Sequence, residues 1–500
     1  MLNQIVNSLQ YIKPEISAAI ALVVLVIVDL VMGKNKKYLA PVMILGLLVT
    51  GYFIIDQFNI SSFAFGSGNN KYGLLAIDSF GSFFKLLIIF SSIIIVFFTL
   101  ASDEIKKANE RLGEYYALIW GMIIGMFFMI SAADLIVVYI SLELVSLSSY
   151  VLAGITKDTL RNSEASLKYV IYGGVSSGIM LFGISILYGI TGTTNIYEIN
   201  ALLQSQQIQG LIVTLSVILI FAGFGFKISA APFHFWTPDV YEGAPITITT
   251  YLSVASKAAG VALLLRFTKI TFIDSVNPDG SWNIISLIDW RSFLIIISIL
   301  TMTLGNFAAL WQNNMKRLLA YSSVAHVGYI LLGIIALSNE GMMAVLIYFV
   351  IYTIMNLGAF FVVMLIANKI GSEELDDYKG LGKAAPVLTV SLAIFLVSLI
   401  GLPPTAGFIA KLYLFLALIN AKMIVIAVIA LLNTVVSVYY YFRVLKYLFI
   451  NSSEKEIEPF GLNIPNLIML LVLVTSTLVL GIYFTPLVNF AKNSITLLGF

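Results

Sequence analysis

Apolar residues run along this chain in long blocks bounded by charged or turn-forming positions. Each block near 20 residues predicts a helix long enough to cross the hydrocarbon of a bilayer. The pattern gives fourteen, at about 16–33, 39–56, 80–100, 115–131, 134–155, 167–190, 210–240, 246–266, 292–311, 317–337, 342–367, 387–419, 423–447 and 463–490. The expected fold class is therefore an all-α polytopic membrane protein of about fourteen transmembrane helices. The seventh and twelfth blocks are too long and carry breakers, Pro232 in KISAAPF and Pro403 and Pro404 in GLPPTAGF. Proline removes a backbone donor and clashes with the carbonyl four residues back. Both blocks are predicted to be broken helices, whose freed backbone groups must face protein or water.

Composition agrees. Of the 500 residues 60% are hydrophobic and 11% charged, and the formal net charge is +2. Soluble domains need about 25% charged residues to cover their surface, so no soluble half is expected. The near-zero charge argues against nucleic acid as a partner. There is no cysteine and there are two histidines, His234 and His326. Disulfides, iron–sulfur clusters and thiolate metal sites are thereby excluded, and a haem between helices is not expected. No GxGxxG or GxxxxGK[ST] loop supports nucleotide binding, so no cofactor is expected in this chain. The start, MLNQIVNSLQYIKPE, does not read as a cleavable signal, and the first span is expected to be retained.

Lysine and arginine set the expected orientation. Connections on one side hold Lys34, Lys36, Lys37, Lys106, Lys107, Arg111, Lys157, Arg161, Lys168, Lys316, Arg317, Lys369, Lys379, Lys383, Arg443, Lys446 and Lys455. The other side holds Lys13, Lys71, Arg266, Lys269, Arg291, Lys422 and Lys492. The first side is expected to be cytoplasmic and both termini to lie opposite it. Lys85, Lys227, Lys257 and Lys411 fit no loop. An ammonium at mid-bilayer costs roughly 2.5–3.5 kcal/mol on insertion scales and is tolerated where it faces a bundle interior, water or an opposite charge. Lys85 lies within ~8 Å of its span end and is expected to snorkel to the interface. Lys257 lies near the midplane, where a bland reading has it satisfied by Ser253, one turn earlier. Lys227 precedes Pro232 and Lys411 follows Pro404, so each adjoins a helix break. Glu143, in ADLIVVYISLELVSLSSYVLAG, is a mid-span carboxylate able to modulate a lysine. His326 is mid-span in KRLLAYSSVAHVGYILLG, and an unperturbed histidine has the side-chain pKa nearest physiological pH. Asp29, Asp56, Asp78 and Asp134 fall near span ends.

Spans four to eight and nine to thirteen each make five helices, and an odd unit repeated in tandem inserts with opposite topology. The expected organisation is an N-terminal three-helix segment (1–114), a first five-helix repeat (115–268), a second (290–447) and a C-terminal span (460–500). The fourth helix of each repeat is the broken one, with Lys227 or Lys411, and the second carries Glu143 or His326.

The segment GFGFKISAAPFHFWTPDVYEGAPITITTYLSVASKAAG (223–260) resembles the signature of the antiporter-like membrane subunits of respiratory complex I, NADH:quinone oxidoreductase. SLELVSLSSYVLAG (141–154), EASLKYVIYGGVSSGIMLFGISILYGITGTT (164–194), MKRLLAYSSVAHVGY (315–329) and GLPPTAGFIAKLYLF (401–415) extend the resemblance over nearly the whole chain. TPDVYEGAP and EASLKY favour the subunit N members. Subunit M has a glutamate where Lys411 stands, and subunit L carries a lateral helix for which this chain has no segment. The resemblance implies proton transfer through Glu143, Lys227, Lys257 and Lys411, with His326 and Lys168 as relay members. On depth alone Lys168 would be an end-of-helix snorkeller. It further implies flavin, iron–sulfur clusters and quinone in partner subunits and neighbours of the M and K type; organellar or thylakoid membranes also hold such subunits, and the inner membrane of a bacterium is the expected location. A stand-alone or Mrp-type cation/proton antiporter and a purely structural subunit are the competing readings.

Overall fold

The computed structural model describes residues 2–33, 35–66, 72–156, 160–205, 208–452 and 458–499. Lys34, Lys71, Lys157 and Lys455, counted above for orientation, lie outside them. In hydrocarbon every backbone N–H and C=O must find a partner within the segment, and these apolar blocks do so as helices. They are α1 (Lys13–Met32), α2 (Leu39–Gln57), α3 (Ser79–Ala101), α4 (Leu112–Ser131), α5 (Leu135–Ala153), α6 (Leu160–Thr191), α7 (Gly210–Ile228) and the short α8 (Trp236–Gly243). Next come α9 (Ile246–Phe272), α10 (Trp290–Ala309), α11 (Met315–Ile335), α12 (Asn339–Ile370), α13 (Pro386–Ile400), α14 (Ala406–Asn420), α15 (Ile424–Phe449) and α16 (Ile464–Ile482). Thirteen helices among the described residues are long and apolar enough to cross a membrane. The shorter pair α13 and α14 forms the broken twelfth span.

Both breaks fall where the prolines predict them. After α7 the chain passes Ser229 in the left-handed region and a cis Ala231–Pro232 bond before α8. After α13 it passes Gly401 and a cis Pro403–Pro404 bond before α14. Gly401 has φ +89°, and a Cβ there would lie 2.8 Å from Lys411 Cδ, so the turn needs glycine for conformation and for room.

Two faces close the bundle. On one lie a hairpin of Ser62–Ala64 with Leu75–Ile77, another of Ile273–Val276 with Trp282–Ile284, and isolated bridges between Leu75 and Ala132, Asp134 and Asn195, and Ser281 and Ser338. Ser8 accepts a bond from Phe65 N, and Leu498 N donates to Asp78, so both chain ends share this face. The opposite face carries the Asn314–Glu374 bridge and the bonds of Arg111 to Ile155 O and Asn162 to Gly243 O. Helices α9, α11 and α12 are enclosed almost entirely, while α1 and α16 turn most of their apolar surface outward.

Some basic residues assigned to loops belong to the interior. Helix α9 continues past the predicted end at 266 to Phe272, which draws Arg266 and Lys269 into the protein. Lys316, at the start of α11, is also buried. Lys85 does not snorkel: it is buried with Glu15 at 2.6 Å and also donates to Gln57.

Candidate functional site

The first break positions Lys227 one residue before the end of α7. The carbonyl of Phe226 accepts from Ser229 N at 3.1 Å and from the indole of Trp236 at 3.0 Å, and Ala231 N donates to Thr301 Oγ1 at 2.9 Å. The buried ammonium of Lys227 reaches Ser146 Oγ on α5 at 3.4 Å. Its stem lies against Gly260, where a Cβ would meet Lys227 Cγ at 3.4 Å, and this lets α7 approach α9 close to Lys257. Glu143 lies one turn before Ser146 on α5. It is half-buried, and its Oε1 is sealed from solvent without a hydrogen-bond partner. No Glu143–Lys227 ion pair forms; the two groups are linked through the α5 face that also carries Ser146.

Lys257 follows a π turn at Leu252–Ser256 inside α9. Such turns re-aim side chains and are frequent at functional sites. Here Lys257 Nζ donates to Ser323 Oγ on α11 at 2.8 Å and lies 5.6 Å from the Tyr241 ring centroid. Ser253 is not its partner: the Lys257 ammonium turns to Ser323, and the Ser253 hydroxyl donates to Thr250 O.

Helix α11 then carries the path by its own periodicity. Ser323, His326 and Tyr329 are spaced by three and share a face. His326 Nδ1 and Tyr348 Oη are 2.7 Å apart, and the Tyr352 and Tyr329 rings are centred 5.2 and 6.1 Å from the imidazole. Lys411 Nζ lies 4.7 Å from the Tyr329 ring centroid. The second break supplies its acceptor: Lys411 donates to Ile400 O, at the end of α13, at 2.7 Å, and to Thr434 Oγ1 at 3.3 Å. Thr434 in turn bonds the Tyr329 hydroxyl at 3.2 Å.

Among the described residues Lys227, Lys257 and Lys411 are all buried, and none has an ion pair. Their partners are hydroxyls and a carbonyl. A neutral amine can still donate to these acceptors, and a hydroxyl can turn to donate back, so either protonation state keeps a hydrogen bond. The arrangement is suited to passing protons between nitrogen and oxygen atoms. No cluster of three His, Cys, Asp or Glu able to hold a metal occurs among the described residues.

The structure thus brings together Glu143, Lys227, Lys257, His326 and Lys411, but not Lys168. That side chain is 38% exposed, and its ammonium bonds Asp239 and Glu164, each at 2.7 Å. Asp239 also holds Arg317 at 2.6 Å, and Arg317 and Arg161 share Glu242, which makes an ion network on the basic face. The connecting residues Ser146, Ser323, Tyr329, Tyr348 and Thr434 were not singled out from sequence. Only the spacing of Ser323, His326 and Tyr329 could have revealed part of the set.

Residues 132–437 match the family model described as NADH:quinone oxidoreductase/Mrp antiporter, TM. A curated relative, NADH-quinone oxidoreductase subunit N 2 of Chloroherpeton thalassium, is 46% identical over 97% of this chain and 94% of its own length. A chain in the structure of respiratory complex I from Thermus thermophilus with bound aureothin superposes with a TM-score of 0.78 at 27% identity. The match covers 96% of this chain and all of that one. A chain of the Mrp complex from a Dietzia species shares the fold, with a TM-score of 0.82 at 19% identity and 97% coverage of each. The chain belongs to the NADH:quinone oxidoreductase/Mrp antiporter membrane family, among its subunit N members.

Proposed function

We propose that this chain is a redox-free, proton-translocating membrane subunit of NADH:quinone oxidoreductase. Quinone reduction takes place in partner subunits that carry the flavin and iron–sulfur clusters. The observation that carries the reading is the buried, ion-pair-free line from Lys227 through Lys257, Ser323 and His326 to Lys411. In this scheme a change at Glu143, on the part-exposed side of α5, alters the charge preferred at Lys227. Lys227 exchanges a proton with Lys257, and Ser323, His326 and water carry it to Lys411 for release. Residues 115–268 and 290–447 act as inverted halves, each contributing one broken helix. Lys168 tunes the Asp239 network at the rim of the first half. Subunits of the M and K type are the neighbours, and the membrane is the inner membrane of a bacterium with both termini on its outer side.

The test uses the assembled complex in sealed vesicles. Lys257→Met is expected to assemble, to retain electron transfer when the membrane is uncoupled, and to lose NADH-driven acidification by at least roughly tenfold, the loss expected for a missing proton-transfer group. Unchanged pumping would remove the line from the mechanism. Cation/proton exchange by the isolated chain would instead favour the Mrp-type reading suggested by the shared fold.

A further inference from the structure

Away from the lysine line, two separate cavities lie one above the other along a cleft formed by α3, α12 and α16. The first, of about 670 Å3, opens at the basic face and is walled by Phe97, Leu100, Phe361, Leu365 and Met469. The second, of about 510 Å3, continues toward the opposite face against Leu86, Phe90, Ile354, Val479 and Leu480. On α3 the wall runs from Phe83 to Leu100, about 26 Å at 1.5 Å per residue, close to the ~30 Å hydrocarbon thickness of a bilayer.

Charge lies at one end only. Asp103, Lys106 and Lys369 are the charged residues lining the two cavities, and all three are at the basic-face mouth. Lys106 pairs with Asp103 at 2.9 Å with both side chains more than half exposed. Lys369 is exposed and has no ion pair among the described residues. The first turn of α16, with Pro465 and Asn466, borders the same mouth and adds the partial positive charge of a helix start. Below the mouth Thr475 and Ser476 are the hydrogen-bonding side chains among otherwise apolar walls, which suits acyl chains.

We propose that this cleft seats a resident anionic phospholipid, with its phosphate between Lys106 and Lys369 and its acyl chains along α3, α12 and α16. A zwitterionic lipid would gain the same apolar contacts but less from Lys369 and from Lys106, which would turn from Asp103 to the phosphate, together worth roughly 1 kcal/mol toward an anionic surface. The site is independent of the proton-transfer reading. Its occupant would lie between α3 and α16, which turns mostly outward, over the enclosed α12 against which α16 packs.

The assembled complex would be placed in phosphatidylcholine vesicles doped with a photoreactive phosphatidylglycerol or with a phosphatidylcholine bearing the same photoreactive chain. After irradiation, labelled peptides would be mapped by mass spectrometry. The anionic probe is expected to label the Phe361–Leu365 and Met469 regions roughly tenfold more than the zwitterionic one. The K106Q/K369Q double variant should remove that preference and K106R/K369R should keep it. Equal labelling by the two probes, labelling unchanged in K106Q/K369Q, or no label in the cleft would overturn the proposal. Label present in the isolated chain but absent from the complex would mean that a neighbouring helix occupies the cleft, and would overturn it as well.

Discussion

Buried cations occur in two kinds of place in this molecule. Around the core three are neutralised: Lys85 by Glu15 at 2.6 Å, Arg266 by Asp78 at 2.7 Å, and Lys316 by Glu373 at 2.9 Å, while Lys269 lies over the Trp282 ring at 4.6 Å without an ion pair among the described residues. Along the central line they are not: Lys227, Lys257 and Lys411 meet Ser146, Ser323, Thr434 and the Ile400 carbonyl. Breaking an ion pair in a low-dielectric interior strands a charge, so the peripheral cations are held in one state. Hydroxyls and carbonyls demand no fixed state. The peripheral pairs fasten the bundle, and the central lysines are free to change protonation. The lack of an ion pair together with a place on the central line, more than depth in the membrane, marks the working cations.

The contrast is broken most sharply at Asp78. Its carboxylate accepts two bonds from Arg266, one from Gly81 N at the start of α3, and one from Leu498 N. Asp78→Ala should therefore destabilise the subunit by about 3–5 kcal/mol, read as a lower unfolding midpoint and less assembled complex. The double variant Asp78→Ala with Arg266→Met should recover much of that loss. Failure of the second change to rescue would mean that the capping bonds matter more than the stranded guanidinium.

Lys227 supplies the opposite case. Lys227→Met removes an unpaired ammonium and one 3.4 Å hydrogen bond, so stability should change by less than about 1.5 kcal/mol, while proton pumping in vesicles falls at least roughly tenfold. Lys85→Met should do the reverse. It leaves Glu15 buried without its partner at a cost of about 3 kcal/mol, and the surviving complex should pump normally per electron transferred. If the two variants behaved alike, the division between fastening and working cations would fail.

The sequence revealed one class better than the other, for a physical reason. Lys227, Lys257, Lys411, Glu143 and His326 stand out in apolar runs because depth is a local property, countable from the ends of a block. Pairing is not local. Glu15 lies 70 residues from Lys85, and Asp78 lies 188 from Arg266. No periodicity links them, so Lys85 read as a snorkeller and Arg266 as a loop residue. The fourteen spans and both proline breaks were legible because hydrocarbon leaves the backbone few alternatives. The hydroxyls that join the lysines were hidden, since serine and tyrosine are unremarkable in a helix until a neighbour is placed against them.

Ser323 tests the join itself. It accepts from Lys257, and its own hydroxyl rests on Ala320 O. Ser323→Ala should cost about 1 kcal/mol of stability and slow proton transfer without abolishing it, because water can enter the space left by the oxygen. Ser323→Thr should restore the rate. The measurement is the ratio of protons moved to NADH oxidised across the three forms. A normal ratio in Ser323→Ala would place the Lys257-to-His326 step on another route.

The smallest effect is expected at Lys168, where family resemblance and geometry diverge. Resemblance makes it a relay, yet its side chain is 38% exposed and its ammonium is shared between Glu164 and Asp239. Exposed ion pairs contribute at most about 1 kcal/mol and are screened by salt. Lys168→Ala should thus leave the unfolding midpoint nearly unchanged and lower pumping less than Lys227→Met does. What remains of its influence should act through Asp239, which Arg317 still holds at 2.6 Å, and should shrink as ionic strength rises. A loss as deep as that of Lys227→Met, unaffected by salt, would move Lys168 from the rim into the transfer line and would show that a paired, half-exposed lysine can do the same work as a buried, unpaired one.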